Sequence, residues 1–318
     1  MRVDACFHFT MWHSSLRGHL RMLKRPVLLI LVMLLTGSAI LIIFHTQNLD
    51  FFSSASSTQI KRISCRFVIQ NTSKYTVNRA ELWVTAPVAE TSTQRVTKES
   101  SSHIYDVEGD DIGNRIFHYT FDNLPPYASR VITVRTELLM RERPLRSVRV
   151  NNEIYLVEEP FIEIDDPQIR HLALSLKAGN PLATAEKIFH WIADNIRYVG
   201  YIKKNRGARQ TLQTKQGDCT ELMYLFVALC RAAGVPARGI AGYHCPESAA
   251  LDPAQYHNWG EFYAEGRWRL CDPQKRVFMQ QNADYVALRV IHRSNAVNLF
   301  DFDRIKVAGE GVTARICS

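Results

Sequence analysis

The sequence predicts an α+β protein that consists of an N-terminal transmembrane helix, an antiparallel β-sandwich and a second domain of helices and strands. Three observations support this fold class. Residues 27–44 carry no charge, residues 60–140 alternate with period two, and apolar residues after Pro160 recur at helical spacing. We expect five parts: a cytoplasmic segment at 1–25, a transmembrane anchor at 26–45, a tether at 46–59, an immunoglobulin-like β-sandwich at 60–150 and the α+β domain at 151–318.

The composition is that of folded protein, with 46% hydrophobic and 22% charged residues among 318. The formal net charge is +8. The segment before the first apolar run supplies +4 of this, from Arg2, Arg17, Arg21, Lys24 and Arg25 against Asp4. The rest of the chain shows no clustered basic face, so we expect no binding to nucleic acid.

The uncharged run at 27–44 is 18 residues long, which as a helix nearly crosses the ~30 Å hydrocarbon core of a bilayer. Basic residues precede the run, and residues 45–59 contain none. The positive-inside rule then places the N-terminus in the cytoplasm and the remaining chain outside it, in the periplasm if the cell is bacterial. The predicted membrane partner is a single N-terminal helix.

Two alternatives to this anchor remain. Gly37-Ser38-Ala39 has the small residues of a signal-peptide cleavage site, although the apolar run continues past it to Phe44. A buried core helix is disfavoured because the run is apolar on every face.

The β-sandwich is predicted from alternation between turn signals. Ala80, Leu82, Val84 and Ala86 alternate with more polar residues, and the same pattern recurs around 117–121 and 132–138. Several short strands at this spacing are typical of an antiparallel sandwich.

Beyond Pro160, two helix starts are marked by Asp166-Pro167 and Asn180-Pro181. Apolar residues in the second helix form one stripe, which indicates a face packed on a core. Residues 203–217 are polar and basic without apolar periodicity, so we expect an exposed loop there.

Cys219 is the candidate nucleophile. It follows Asp218, a good N-cap residue, and precedes an apolar helical stretch at 222–233 that Gly234 ends. Exposed backbone N–H groups and the helix dipole favour an anion in the first helical turn, which suits a thiolate. Cys230 lies deeper among apolar residues and is interpreted as structural.

His257 and Asp272 are candidate partners for that thiolate. Residues 256–263 and 267–270 read as two strands joined by a tight turn at 264–266. The hairpin brings its open ends together and so places Asp272 beside His257. A carboxylate at that place fixes the tautomer of an imidazole and stabilises its charged form.

Four segments together resemble the core of the transglutaminase-like superfamily. They are GDC at 217–219, RAAGVPAR at 231–238, HNW at 257–259 and WRLCDP at 268–273. The resemblance covers roughly residues 180–273 and implies a papain-like α+β core. It also implies a triad with Cys219 as nucleophile, His257 as general acid and base, and Asp272 as orienting carboxylate. Calcium-site segments and paired Cys-x-x-Cys zinc motifs of some relatives have no counterpart here, so we expect no cofactor and no metal.

The predicted function is cysteine-dependent acyl transfer on amide bonds of protein or peptide substrates outside the cytoplasm, through a thioester and with hydrolysis as the favoured second step. A true protein-glutamine transamidase and a non-catalytic peptide-binding module remain alternatives. Gln213 lies six residues before Cys219, as the oxyanion glutamine does in papain-like proteases, and is a candidate oxyanion donor. In an oxidising compartment we expect disulfides between Cys245 and Cys271 or between Cys65 and Cys317.

Overall fold

The structure is a computed structural model that describes residues 58–147, 152–292 and 304–317. The predicted anchor at 26–45 lies outside the described residues. Within the described part of the chain, no helix combines the length and the apolar character needed to cross a membrane.

Four α-helices are described, all within the segment that the sequence assigns to the second domain. They are α1 (Pro167–Leu176), α2 (Pro181–Asn195), α3 (Gly207–Thr214) and α4 (Cys219–Ala232). Short 3₁₀ turns occur at Glu153–Tyr155, Pro253–Gln255 and Asn282–Asp284.

Most strands fall into three sheets. In chain order, the strands are β1 (Thr58–Asn71), β2 (Val77–Ala86), β3 (Gln94–Ser101), β4 (Asp106–Gly109), β5 (Arg115–Leu124), β6 (Ser129–Arg141), β7 (Arg197–Tyr198), β8 (Gln216–Gly217), β9 (Ala237–His244), β10 (Ala249–Ala250), β11 (Tyr256–Ala264), β12 (Arg267–Asp272), β13 (Val277–Phe278), β14 (Tyr285–Ile291), β15 (Ile305–Ala308) and β16 (Val312–Cys317).

Two sheets form the sandwich. One contains β1, β6 and β3, and the other has the order β15-β2-β5-β4. Their facing side chains make one apolar cluster that includes Phe67, Ile69, Leu82, Phe117 and Tyr119. The predicted alternation is confirmed, because the residues expected to point inward on β2 and β5 are buried.

The last two described strands return to this sandwich. β16 pairs with β1 from Asn71↔Val312 to Arg66↔Cys317, and β15 pairs with β2. The predicted domain boundaries place these residues in the second domain at 151–318. Their period-two pattern follows a long stretch of core sequence, and nothing local to the segment shows which sheet it joins.

The second domain packs its helices on one face of an antiparallel sheet with the order β13-β12-β11-β9-β14. Helix α4 lies at the centre of this domain, and the side chains from Glu221 to Arg231 are all buried. The predicted stripe on α2 is confirmed by the burial of Ala185, Ile188, Phe189 and Ile192. The domain is therefore built around one buried helix that begins at Cys219.

Helix α3 corrects the expectation of an exposed loop at 203–217. Ala208, Thr211 and Leu212 are buried on one face of the helix, and Ala208 N–H donates to the Phe161 carbonyl. This stripe holds only two apolar residues, which is too short a signal to register as helical periodicity.

Side chains of the sandwich pair with β14 along its outer edge. Gln94 and Asn114 each offer an amide that both donates and accepts. Gln94 bonds the carbonyl and N–H of Ala287 at 3.0 and 2.9 Å, and Asn114 bonds those of Val290 at 2.9 and 2.6 Å. These amides act as a neighbouring strand would. They supply hydrogen-bond partners to the backbone N–H and carbonyl groups on the outer edge of β14, which the sandwich buries.

A buried lysine forms a second link between the two halves. Lys61 of β1 is 2% exposed and donates to the carbonyls of Cys245 and Ala283, with Asp284 at 3.8 Å. Burial lowers the pKa of Lys61, and the negative charges around it oppose that shift.

We expect Asn114→Ala to lower the free energy of unfolding by about 1–3 kcal/mol, because it leaves a buried backbone N–H and carbonyl of β14 without partners. Denaturant unfolding measures the change, with the exposed Asn78→Ala on β2 as the matched control. Equal midpoints for the two variants would contradict the proposed role of this amide.

Candidate active site

Cys219 occupies the first position of α4 and is partly exposed. The helix begins there because Asp218 has extended backbone angles and its side chain accepts from the N–H groups of Thr220 and Glu221 at 2.8 and 3.4 Å. Glu221 reaches back to the N–H of Asp218 and completes a capping box. The positive end of the helix dipole therefore lies at the sulfur.

After capping, one backbone N–H group in the first turn of α4 remains without an acceptor in the part of the chain that the structure describes. The N–H groups of Thr220 and Glu221 bind the Asp218 carboxylate, and that of Leu222 binds the Asp218 carbonyl at 3.1 Å. Within the described residues, the N–H of Cys219 itself donates to no acceptor. It is a backbone donor placed next to the candidate nucleophile, as oxyanion stabilisation requires.

The two capping carboxyls also hold the loop that runs past the start of α4. Asp218 accepts from the N–H of Ile202 at 2.9 Å, and Glu221 accepts from that of Arg206 at 3.0 Å. Burial and a hydrogen bond to Asp218 raise the pKa of Glu221 to about 7, whereas hydrogen bonds keep the pKa of Asp218 below its ordinary value despite its burial. Glu221 is therefore the carboxyl of this pair that takes up a proton first as the pH falls.

The hairpin predicted for His257 and Asp272 is confirmed. Strands β11 and β12 pair from Gly260↔Cys271 to Ala264↔Arg267. The turn residues Glu265 and Gly266 both have positive φ, at 53° and 77°, as the tight turn of a two-residue hairpin requires.

This register brings the His257 Nε2 and Asp272 Oδ2 atoms to 2.6 Å. Asp272 is fully buried at 0% exposure. It also accepts from the Tyr285 hydroxyl at 2.8 Å and from the Lys275 backbone N–H at 3.1 Å. Three donors thus compensate a carboxylate that has no access to water.

The His257 ring bridges Asp272 and Cys219. Burial lowers its pKa, but hydrogen bonds to Asp272 and to Cys219 and the charges of both groups outweigh that effect and raise the pKa to about 9. A pKa in that range favours the imidazolium form at neutral pH. The structure therefore brings Cys219, His257 and Asp272 together, with His257 and Asp272 at hydrogen-bond distance and Cys219 close enough to affect the pKa of the ring.

Asn258 is a residue of this site to which the sequence analysis gave no role. Its Nδ2 donates to the Thr220 hydroxyl at 2.8 Å. Since Asn258 follows His257 and Thr220 follows Cys219, the bond ties the strand that carries the imidazole to the helix that carries the sulfur. A polar residue directly after a candidate histidine was the only signal available in the sequence.

Close packing of the backbone also determines how near α4 lies to β11. A Cβ atom at Gly260 of β11 would lie 2.5 Å from the Phe226 ring of α4, and one at Gly242 of β9 would lie 2.0 Å from the Val286 carbonyl. Only glycine allows α4 to pack so closely against β11 and β14 so closely against β9.

An aromatic side chain borders Cys219 on the loop side. Tyr198 pairs in register with Gly217 and is 49% exposed. Its partial burial and the nearby charges of Cys219 and Asp218 raise the pKa of its hydroxyl. Tyr201, further along the loop, is largely exposed.

Gln213 is placed apart from these residues. It is exposed on α3 and lines a surface depression together with His171, Trp191 and Lys215. None of the three predicted triad residues lines that depression. The structure therefore does not place Gln213 in one site with Cys219, His257 and Asp272.

The expected disulfides are wrong, since the six cysteines within the described ranges are free thiols. Cys317 is the register partner of Arg66, so its side chain and that of the adjacent Cys65 leave opposite faces of the sheet. Cys271 lies in the core cluster around α4, whereas Cys245 lies in a different cluster against the sandwich. No group of three or more His, Cys, Asp or Glu side chains in the described ranges is arranged to hold a metal ion.

Part of the second domain matches a known family. Residues 170–273 match the family described as the transglutaminase-like superfamily. An uncharacterised protein from Haemophilus influenzae is 41% identical over 70 residues, which are 21% of this chain and 19% of that protein. The matched segment thus spans about a fifth of that relative's length.

Two solved structures are also similar. A candidate cysteine protease from Cytophaga hutchinsonii has a TM-score of 0.53 at 17% identity, with 81% of this chain and 92% of that chain covered. The periplasmic domain of TgpA from Pseudomonas aeruginosa, bound to ethylmercury, has a TM-score of 0.38 at 17% identity, with 67% and 90% covered. The first of these shows a shared fold.

We expect Asp272→Asn to lower the pKa of His257 from about 9, because the burial that lowers this pKa is then opposed by Cys219 without the carboxylate. NMR titration of the His257 ring protons measures the change, with His257→Gln to assign the signal. Asp194→Asn, on the surface of α2, serves as the control. A His257 pKa that stays near 9 in Asp272→Asn would exclude the carboxylate as its cause.

Proposed function

Taking the transglutaminase-like core of residues 170–273 as the premise, we propose that the protein is a cysteine-dependent acyl-transfer enzyme that acts on amide bonds of protein or peptide substrates. The observation that carries the proposal is the His257 ring, which hydrogen-bonds to Asp272 at 2.6 Å and lies close enough to Cys219 for that residue to raise the pKa of the ring.

In the first step, the Cys219 sulfur attacks the carbonyl carbon of the substrate amide. The developing oxyanion accepts from the backbone N–H of Cys219, which capping leaves without an acceptor in the described residues. As the C–N bond breaks, His257 gives its proton to the leaving amine, and a thioester remains on Cys219.

In the second step, water attacks the thioester carbonyl while neutral His257 accepts its proton. The C–S bond then breaks, the carboxylic acid product leaves, and Cys219 and His257 return to their initial state. Asp272 accepts from the His257 ring throughout and holds its orientation, because the other donors to Asp272, the Tyr285 hydroxyl and the Lys275 N–H, are fixed by the fold.

Hydrolysis is the proposed outcome because water is the default acceptor. The transamidase alternative differs only in the group that attacks the thioester. Mass spectrometry separates the two: products whose summed mass exceeds that of the substrate by about 18 Da, the mass of one water, mark hydrolysis, and incorporation of an added primary amine marks transamidation.

We expect iodoacetamide to alkylate Cys219 in the full chain faster than it alkylates the other cysteines. His257→Ala should remove that advantage and reduce peptide turnover by about 10²–10⁴-fold, because it removes the acid and base of both steps. Quantitative mass spectrometry of the Cys219 peptide measures the alkylation rate.

His190→Ala on the exposed side of α2 is the matched control and should alkylate as the parent does. Cys219→Ala identifies the peptide signal and should abolish turnover. Ordinary reactivity of Cys219 with no dependence on His257 would overturn the enzyme proposal in favour of a peptide-binding module.

We also propose that residues 26–45 anchor the protein in the membrane with the catalytic domain outside the cytoplasm, in the periplasm if the cell is bacterial. The support is the uncharged run at 27–44 and the basic flank before it. Proteinase K added to intact spheroplasts should digest the chain beyond residue 58, whereas full protection would contradict this orientation.

A further inference from the structure

A groove of about 460 Å³ lies on the outer face of the sandwich sheet. We name it the basic groove, because three of its lining side chains are cations. It is lined by Arg62 and Ser64 of β1, Lys98 and Ser100 of β3, Arg135 and Glu137 of β6, and Ser248 and Ala249 of the loop after β9. These residues take no part in the proposed chemistry.

Strand register arranges the groove residues in two rows that run across three strands. Arg62, Glu137 and Lys98 are cross-strand partners in one row. Ser64, Arg135 and Ser100 are partners in the next row. Adjacent rows lie two residues apart along each strand, which is about 6.6 Å. The second row therefore sets a guanidinium between two hydroxyls.

A β-bulge in β3 directs the side chains of Lys98 and Ser100 into the groove. The register of β3 on β6 shifts between Val96, which pairs with Leu138, and Lys98, which pairs with Glu137. Val96 packs on the buried side of the sheet. In a regular strand of the same sequence, Lys98 would lie on the same face as Val96, because strand side chains alternate. Bulges that re-aim a side chain in this way are common beside binding sites.

The charges in the groove do not cancel. Arg62 and Glu137 form an ion pair at 2.9 Å, while Lys98 and Arg135 add two further positive charges on exposed side chains. The hydroxyls of Ser64 and Ser100 supply neutral donors on either side of Arg135. This set of groups is complementary to carboxylates spaced along an extended chain.

One wall of the groove belongs to the catalytic half of the protein. Ser248 Oγ accepts from the Arg62 N–H at 2.9 Å, the Leu251 N–H donates to the Ser64 carbonyl at 2.8 Å, and β10 pairs with β1. The loop is thereby fixed on the sandwich. Ala249 lines the groove and also a second cavity of about 320 Å³, which begins at His244.

That second cavity approaches the active site. His244 ends β9, the strand on which Gly242 is the register partner of His257. Its ring packs edge-on against Tyr285, which donates to Asp272. A polypeptide that lies in both cavities therefore passes from the basic groove to the strand beside His257.

We propose that the basic groove binds an acidic, extended segment of the polypeptide substrate, with Lys98 and Arg135 as its principal contacts. This inference rests on the proposed function, since the partner is taken to be the substrate. The site is concave and lies between a sheet and a loop, so it fits a single chain better than the flat surface of an anionic membrane.

Fluorescence anisotropy of fluorescein-labelled hexaglutamate with the full chain tests the proposal at low ionic strength. We expect saturable binding that weakens with added salt and no binding of labelled hexalysine. The double variant Lys98→Glu, Arg135→Glu should raise the Kd by about tenfold or more. The milder Arg135→Gln should raise it by a smaller factor and keeps the test valid if the double variant does not fold.

The matched control is Lys74→Glu, Arg130→Glu, which makes the same change in net charge on exposed sandwich residues that do not line the groove. Equal weakening in both double variants would overturn the proposal in favour of a nonspecific charge effect. Binding of anionic lipid vesicles without binding of hexaglutamate would overturn it in favour of a membrane surface.

Alkylation of Cys219 separates this proposal from the proposed function. The groove variants should keep the parental alkylation rate, because iodoacetamide is too small to require the groove. If hexaglutamate binding depends on Lys98 and Arg135 while alkylation of Cys219 shows no dependence on His257, the groove is supported and the enzyme proposal fails.

Discussion

The site depends on one buried carboxylate. Asp272 has no exposed surface, so its charge is tolerated only because His257, Tyr285 and the Lys275 N–H all donate to it. Each of these donors comes from a different element, and each must be positioned by packing. The register of the hairpin, the position of β14 and the turn after β12 are therefore constrained together by a single side chain.

The same constraint extends to the sandwich. Tyr285 is the first residue of β14, and the outer edge of β14 is held by the side-chain amides of Gln94 and Asn114. Lys61 fixes the segment just before β14 through the Ala283 carbonyl. The sandwich thus supports the strand that supports Asp272, and its packing against the core is part of the architecture of the site.

Local signals made the two ends of the site predictable from the sequence. Asp218 and Gly234 mark the limits of α4, and Glu265 with Gly266 marks the hairpin turn. Each signal acts within a few residues, so it can be read without knowledge of the tertiary structure. The proximity of His257 and Asp272 followed from strand pairing alone.

Features that depend on distant partners could not be predicted in this way. Asn114 and Val290 lie 176 residues apart, and nothing near either residue indicates their pairing. Helix α3 has too few apolar residues to show a period, and its formation turns Gln213 to the solvent although its spacing from Cys219 suggested a role. The return of β15 and β16 to the sandwich likewise depends on the complete core between them.

That return has a consequence for the order in which the protein folds during synthesis. The ribosome delivers β1 and β2 early, but their partners β16 and β15 emerge only after the whole catalytic core. Until then, both sheets of the nascent sandwich present unpaired edges, and contacts of long sequence separation close last. The catalytic core between them contains helices and a hairpin, whose contacts are local and form early. We therefore expect the second domain to complete its folding before the sandwich does.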